Sequence, residues 1–275
     1  MLTCKEYATL RKQELKEYIE EKGLKPCLVV IQVGDRPESN SYIRGKMRDC
    51  EEVGIECNVV KYEEHVTQKQ LEAYILECDI RKHIHGIIVQ LPVPDHIDIE
   101  RIQNLISYNK DVDGFSKISK FDPCTPKGVI DYLKYIGYEF EGKDALVIGR
   151  SDIVGKPLAR MLTDLNCTVT LAHSRTEHIE DHMYDADIIF TCINEIDYFL
   201  INTAHYPGPN TDIIDIGLGI GLDGKLHGNL HHKELRAYIN DNPNNIVISG
   251  TGGVGLLTRL ALLENVVKAA EEYHG

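Results

Sequence analysis

Ala145-Leu146-Val147-Ile148-Gly149-Arg150-Ser151-Asp152-Ile153-Val154-Gly155-Lys156-Pro157 reads as a strand, a turn and the opening of a helix. The apolar run before Gly149 suits a strand buried on both faces, as a parallel sheet covered by helices requires. Gly149 closes that strand, and Gly155 stands near the start of a helix expected over 154–165. Unpaired backbone N–H groups at such a helix start favour an anion, so the unit reads as a cradle for the pyrophosphate of a dinucleotide. Its spacing is not G-x-G-x-x-G, and a tight turn with close helix–strand packing would by itself account for two glycines.

Downstream the pattern repeats. Thr168–His173, Asp187–Thr191, Asp212–Ile216 and Asn245–Ser249 are further apolar runs, which with Ala145–Gly149 make a five-strand series and predict a Rossmann-type domain. Readers of NAD usually place Asp or Glu about twenty residues past the loop, on the ribose hydroxyls. Here His173-Ser174-Arg175-Thr176 occupies that strand end. A hydroxyl and a guanidinium suit a phosphate, which favours NADP, and Arg150 offers a second positive charge. An arginine at a strand end is otherwise most often simply solvated.

Upstream, residues 3–22 read as an amphipathic helix and Cys27–Val33 as a doubly buried strand. A helix over Ser39–Val53, a strand at Asn58–Tyr62, a helix over 67–79 and a strand at Gly86–Gln90 follow. The strand–helix alternation predicts a parallel α/β layer with ligands at the carboxyl ends of its strands, where Gln90 stands. A connector near 116–137 enters helix after Thr125-Pro126, and a last helix over 255–273 follows Gly252-Gly253-Val254-Gly255. The expected architecture is α/β in two domains with a cleft between them. An N-terminal parallel-sheet domain comprises 1–116 plus 254–275, and a Rossmann-type cofactor domain 117–253.

The 275 residues carry a formal charge of −13, with no basic run, which excludes a nucleic-acid backbone as the expected partner. No secretory signal or long apolar stretch is visible, so neither a membrane partner nor export is expected, and the expected location is cytoplasmic. Eight cysteines without a C-x-x-C pair read as reduced packing thiols, and no metal site is expected. The His83/His85 and His231/His232 pairs read as surface or strand-alternation residues.

Tyr42 and Lys46, four apart on the second expected helix, project a phenol and an amine from one face. The short-chain dehydrogenases also use Tyr-x-x-x-Lys, but there the glycine loop comes first; here the pair precedes it. Between pair and loop lie Gln90-Leu91-Pro92-Val93-Pro94, Lys110-Asp111-Val112-Asp113-Gly114-Phe115 and Pro123-Cys124-Thr125-Pro126-Lys127-Gly128. Singly these are weak signs, since a helical lysine is usually solvated and Asp-x-Asp-Gly is usually a turn. In this order they resemble the bifunctional methylenetetrahydrofolate dehydrogenase/cyclohydrolases, the FolD family, from about Leu28 to the C-terminus.

That resemblance implies NADP-dependent oxidation of 5,10-methylenetetrahydrofolate and hydrolysis of the methenyl product to 10-formyltetrahydrofolate, by a homodimer. It implies Lys46 as the catalytic lysine, Gln90 as its orienting partner, Tyr42 beside the folate and Asp113 on the pterin N–H donors. Pro92, Gly252 and Gly253 are implied near the substrate, and Gly149, Arg150, Ser151, Ile153, Gly155, Ser174 and Arg175 at the cofactor. An ammonium has no lone pair, and desolvation in a pocket is what makes a lysine a usable base.

The chain also departs from the family. Where relatives read Thr-Pro-Val-Pro-Gly-Gly-Val-Gly-Pro-Met-Thr, it reads Ile248-Ser249-Gly250-Thr251-Gly252-Gly253-Val254-Gly255-Leu256-Leu257-Thr258, without a proline, which predicts a looser loop. Gly-Asp-Val becomes Gly228-Asn229-Leu230. Gly-Lys-Pro becomes Ile193-Asn194-Glu195, whose isoleucine is expected to crowd an approach that glycine leaves open. These changes fall on the cofactor side and leave room for a cyclohydrolase-dominant enzyme. Two further readings are another Rossmann oxidoreductase, against which Tyr42, Lys46, Gln90 and Asp113 argue, and a folate- or nucleotide-binding module without turnover.

Overall fold

A computed structural model describes residues 2–193, 207–220, 226–230 and 232–274. In chain order the elements are α1 (Cys4–Lys22), β1 (Cys27–Val33), α2 (Pro37–Val53), β2 (Glu56–Tyr62), α3 (Gln68–Ile80), β3 (Gly86–Val89) and α4 (Ile99–Leu105). Then come α5 (Cys124–Tyr135), β4 (Asp144–Ile148), α6 (Gly155–Asp164), β5 (Thr168–Ala172), α7 (Ile179–Asp185), β6 (Ile188–Thr191) and β7 (Asp212–Asp215). The last are β8 (Leu218–Ile220), β9 (Leu226–Gly228), α8 (His232–Asp241), β10 (Val247–Ile248), a 3-10 turn at Gly250–Gly252, and α9 (Val254–His274). The chain divides into two compact units, Glu6–Cys124 with Arg259–Gly275, and Met1–Lys5 with Thr125–Thr258.

The first unit holds a parallel sheet of order β2-β1-β3. All seven residues of β1 are buried, because alternate side chains enter different cores. Leu28 and Val30 pack with Ile19, Ile43, Cys50, Leu262 and Val266, while Val29 and Ile31 pack with Leu71, Ile75 and Ile102. An alternating strand would expose one of these faces; the unbroken run Cys27–Val33 instead fits helices on both sides. Each such fully buried aliphatic side chain contributes about 1.5–3 kcal/mol relative to exposure.

The second unit holds a five-stranded parallel sheet of order β10-β7-β6-β4-β5. Its fifth strand is shorter than Asn245–Ser249: only Val247 and Ile248 pair, on the edge against β7. Three helices and an antiparallel strand pair had no clear sequence pattern. α4 and α7 are each seven residues long, too short to develop a periodicity. The other two are α8 and the antiparallel pair β8–β9. Among the described residues no helix is long and apolar enough to cross a membrane, and no cluster of three or more His, Cys, Asp or Glu could hold a metal.

Candidate functional site

In the first sheet β1 is the strand from which the chain steps to β2 on one side and β3 on the other. Such a switch point opens a crevice at the carboxyl ends, and α2 enters there directly after β1. The entry is fixed by side chains: buried Gln32 donates from Nε2 to Gly34 O at 3.1 Å and to Asn40 Oδ1 at 2.7 Å. Pro37 supplies a first-turn residue needing no N–H partner, and Gly54, at φ +88°, closes the helix with its N–H on Cys50 O.

On α2, Lys46 is buried and donates from Nζ to Gln90 Oε1 at 3.1 Å. Gln90 lies just past β3 and donates from Nε2 to Leu91 O at 2.9 Å, so its carboxamide can present only oxygen to the lysine. Pro92, joined to Leu91 by a cis bond, is exposed. Tyr42 stays 37% exposed. Desolvation raises its phenol above the usual range, Arg259's positive charge opposes that, and Asp113's negative charge adds to it. Both charges therefore act on one phenol.

Asp113 sits in a tight loop built by its neighbours. Asp111 is buried and accepts the N–H groups of Ser116 at 2.8 Å and Phe115 at 3.4 Å; burial, more than any other cause, raises its carboxyl. Gly114 has φ +72°, and a Cβ there would lie 2.6 Å from the Pro123 nitrogen. Lys110 is buried and donates from Nζ to Asp79 O at 2.6 Å and Arg81 O at 2.8 Å, covering the open C-terminus of α3. The Asp113 carboxylate accepts no hydrogen bond among the described residues and makes none with Lys46, leaving its oxygens available.

Three residues not singled out in the sequence, Arg259, Asp49 and Lys12, complete this group. Arg259, in the second turn of α9, donates from Nε to Asp49 Oδ2 at 2.5 Å, and Lys12 Nζ lies 3.3 Å from Asp49 Oδ1. No local pattern marks them, because their partners lie far away in the chain.

In the second unit the chain steps from β4 to β5 on one side and to β6 on the other, so the loop after β4 occupies the switch point. Gly149 has φ +118°, and a Cβ on it would lie 2.6 Å from Cys192 O. At Gly155 a Cβ would lie 1.9 Å from Gly149 O, so the start of α6 rests on the strand end. Ser151 Oγ accepts from Val154 N at 3.2 Å and from Gly155 N at 3.4 Å, shaping the loop from within. Ile153 is half-buried, and Arg150 and Ser151 are exposed.

Past β5 the turn is held by His173 N donating to Thr176 Oγ1 at 2.9 Å and Arg175 N donating to His173 Nδ1 at 3.2 Å. Ser174 and Arg175 are exposed, and neither guanidinium, Arg150 or Arg175, has a hydrogen-bond partner among the described residues. The N–H groups of Val154, Gly155 and Lys156 are taken by Ser151 and Pro157 has none, so the donor set that fits a phosphorylated dinucleotide is the N–H groups of Arg150, Ser151 and Ile153 in the loop, which have no acceptor among the described residues, with the two uncommitted guanidiniums.

The departures from the family read differently in three dimensions. Asp215, at the end of β7, is buried; its Oδ1 accepts Thr191 Oγ1 at 2.6 Å and Asn229 N at 3.0 Å, and its Oδ2 accepts Gly250 N at 3.2 Å. Gly253, φ +138°, lies against Cys4, where a Cβ would sit 2.5 Å from the Cys4 Cβ. The proline-free loop is held by the Asp215 carboxylate at Gly250 and by the close approach of Gly253 to the Cys4 side chain. Ile193 packs against the core around Leu146 and Ile148 instead of projecting into an approach, and its N–H donates to Asn229 Oδ1 at 3.2 Å. Asn229 Nδ2 is buried without a partner among the described residues. Asn194, Glu195 and His231 lie outside the described residues.

A parallel sheet with a glycine turn and uncommitted cations at its switch point defines a dinucleotide-binding enzyme class, and the first unit adds a buried, oriented lysine. Residues 2–113 match the tetrahydrofolate dehydrogenase/cyclohydrolase catalytic domain, and residues 123–274 match the NAD(P)-binding domain of the same description. The chain belongs to the tetrahydrofolate dehydrogenase/cyclohydrolase family. It is 38% identical to the bifunctional protein FolD of Oceanobacillus iheyensis, over 98% of this chain and 96% of that one. The crystal structure of the bifunctional enzyme FolD from Campylobacter jejuni matches with a TM-score of 0.88 at 36% identity, covering 98% of each chain. The Trypanosoma brucei dehydrogenase-cyclohydrolase, solved with NADP cofactor and inhibitor, matches at 0.87 and 26% identity, covering 99% of this chain and 97% of that one.

Proposed function

We infer that this protein oxidises 5,10-methylenetetrahydrofolate with NADP and hydrolyses the methenyl product to 10-formyltetrahydrofolate, with Lys46, Gln90, Tyr42 and Asp113 as its folate-side machinery. The observation that carries the residue assignment is the Lys46–Gln90 hydrogen bond. NADP, when bound, supplies the hydride acceptor. Arg150, Arg175 and Ser174 hold its phosphates, and the backbone donors framed by Gly149, Ser151, Ile153 and Gly155 hold the pyrophosphate.

Asp113 is assigned to the pterin, whose adjacent N–H donors meet two acceptor oxygens side by side. Tyr42 lays its ring along the substrate, and Pro92, Gly252 and Gly253 supply surface for it. Oxidation needs little beyond holding the donor carbon against the acceptor ring. Hydrolysis needs a proton moved from the attacking water and toward the departing ring nitrogen, and Lys46 Nζ, aimed by Gln90, is assigned that relay. The folate-binding part is 1–116 with 254–275 on the sequence division, the cofactor part 117–253. A homodimer, implied by the resemblance, and a cytoplasmic location belong to the same proposal.

Lys46→Met tests the assignment. Cyclohydrolase activity, followed by the absorbance of methenyltetrahydrofolate, is expected to fall about a hundredfold or more. Full retention of hydrolysis in a correctly folded variant removes Lys46 from its role.

A further inference from the structure

The folate-side group contains a cation that the assignment above does not use. Arg259 keeps only 14% of its side-chain surface, and Nε alone is committed, to Asp49. Among the described residues neither Nη group has a hydrogen-bond partner. The guanidinium lies on the backbone of α2: a Cβ at Gly45 would sit 3.4 Å from its Cζ and Nε. Gly45 is three residues after Tyr42 and one before Lys46, so the guanidinium borders the catalytic stretch of α2. A guanidinium held through Nε with two free Nη groups is arranged for bidentate capture of a carboxylate.

We propose that Arg259 is a specificity-determining residue that binds a carboxylate of the substrate's glutamyl tail. The proposal rests on the folate-side assignment above. Tyr42 feels both Asp113 and Arg259. A carboxylate and a cation that both act on the one phenol suit a ligand with pterin N–H donors at one end, an aminobenzoyl ring, and carboxylates at the other. In a chain with formal charge −13, such a cation must be local and fixed to attract an anionic tail. Asp49 provides the fixing, and Gly45 provides the room.

The test compares wild type, Arg259→Gln and Arg259→Lys on methenyltetrahydrofolate and on methenyltetrahydropteroate, which lacks the glutamyl tail. Asp49 keeps Lys12 as a partner in both variants, so neither strands a buried carboxylate. In Arg259→Gln, KM for the glutamyl substrate is expected to rise about tenfold or more with kcat nearly unchanged, while KM for the pteroate is unmoved; Arg259→Lys should recover part of the loss. An equal shift on both substrates, or none, overturns the proposal. If the glutamine variant does not fold, the wild type decides: it should favour the glutamyl substrate in KM, increasingly so at low salt, and equal KM values overturn the proposal. Wild type inactive on both compounds would instead count against the folate-side assignment itself.

Discussion

Lys46 Nζ and Gln90 Oε1 meet at 3.1 Å although 44 positions separate them in the chain. The contact exists because α2 enters at the carboxyl end of β1 and Gln90 leaves the carboxyl end of β3, which pairs with β1. The carboxamide nitrogen donates to Leu91 O, so the bond has one orientation.

Gln90→Glu should therefore replace a neutral acceptor by a carboxylate at nearly the same place. A neighbouring negative charge favours the ammonium form of the amine, which cannot accept a proton. The cyclohydrolase rate at neutral pH is expected to fall about tenfold or more. A rate equal to that of the wild type would show that the contact does not govern the reaction.

Lys110 illustrates the opposite case, a charged residue in a catalytic-looking motif whose contacts are all structural. Its ammonium donates to the carbonyls of Asp79 and Arg81 and lies 5.5 Å from the centroid of the Tyr273 ring. Burial pulls its pKa below the ordinary lysine value, with the Asp79 charge opposing. Lys110→Met removes the donor of Asp79 O, while Arg81 O keeps the N–H of Ile84, and the unsatisfied carbonyl costs about 1–3 kcal/mol. Urea denaturation should show that loss, while kcat per folded molecule stays near the wild-type value.

The sequence carried the elements whose signal is local. Cys27–Val33 has the bounds expected of it because an unbroken apolar run has few other uses, and Tyr42 with Lys46 follows from helical spacing alone. Lys110, Asp111 and Asp113 look alike as letters in one motif; only their partners distinguish a helix cap, a loop organiser and an uncommitted carboxylate. The Arg259–Asp49 pair was illegible because 210 positions separate its members. The contacts of the loop at 248–258 were illegible for a related reason. Counting lost prolines measures local stiffness, whereas its anchors, Asp215 and Cys4, come from elsewhere in the chain.

On the cofactor side the two exposed guanidiniums separate phosphate recognition from general binding. Arg175→Ala should raise KM for NADP about tenfold or more and leave KM for NAD nearly unchanged, since only NADP carries the extra phosphate. Arg150→Ala should act in the same direction. Steady-state kinetics with both nicotinamides provide the check, and equal losses on NAD and NADP would move these arginines away from the 2′-phosphate.

Asp215 gives a pH dependence whose sign can be worked out. Burial is the largest cause raising its carboxyl above the ordinary aspartate value of 3.8, against the lowering effect of Thr191, Asn229 and Gly250 as donors. The folded state therefore holds a proton that the unfolded chain has already released, in the window from that raised value down to 3.8. In that window the folded state binds more protons than the unfolded one, so this group's contribution to stability grows as pH falls through the folded pKa and levels off below the unfolded one. Asp215→Asn removes the titration but turns an NH2 toward N–H or O–H donors on one side, costing about 1–3 kcal/mol at neutral pH. Denaturant unfolding of both proteins across the acid range should show the wild type gaining on the variant as pH drops. A difference independent of pH would mean that the carboxyl is not raised, and a difference that shrinks toward acid would mean that its donors, Leu230 N among them, outweigh burial.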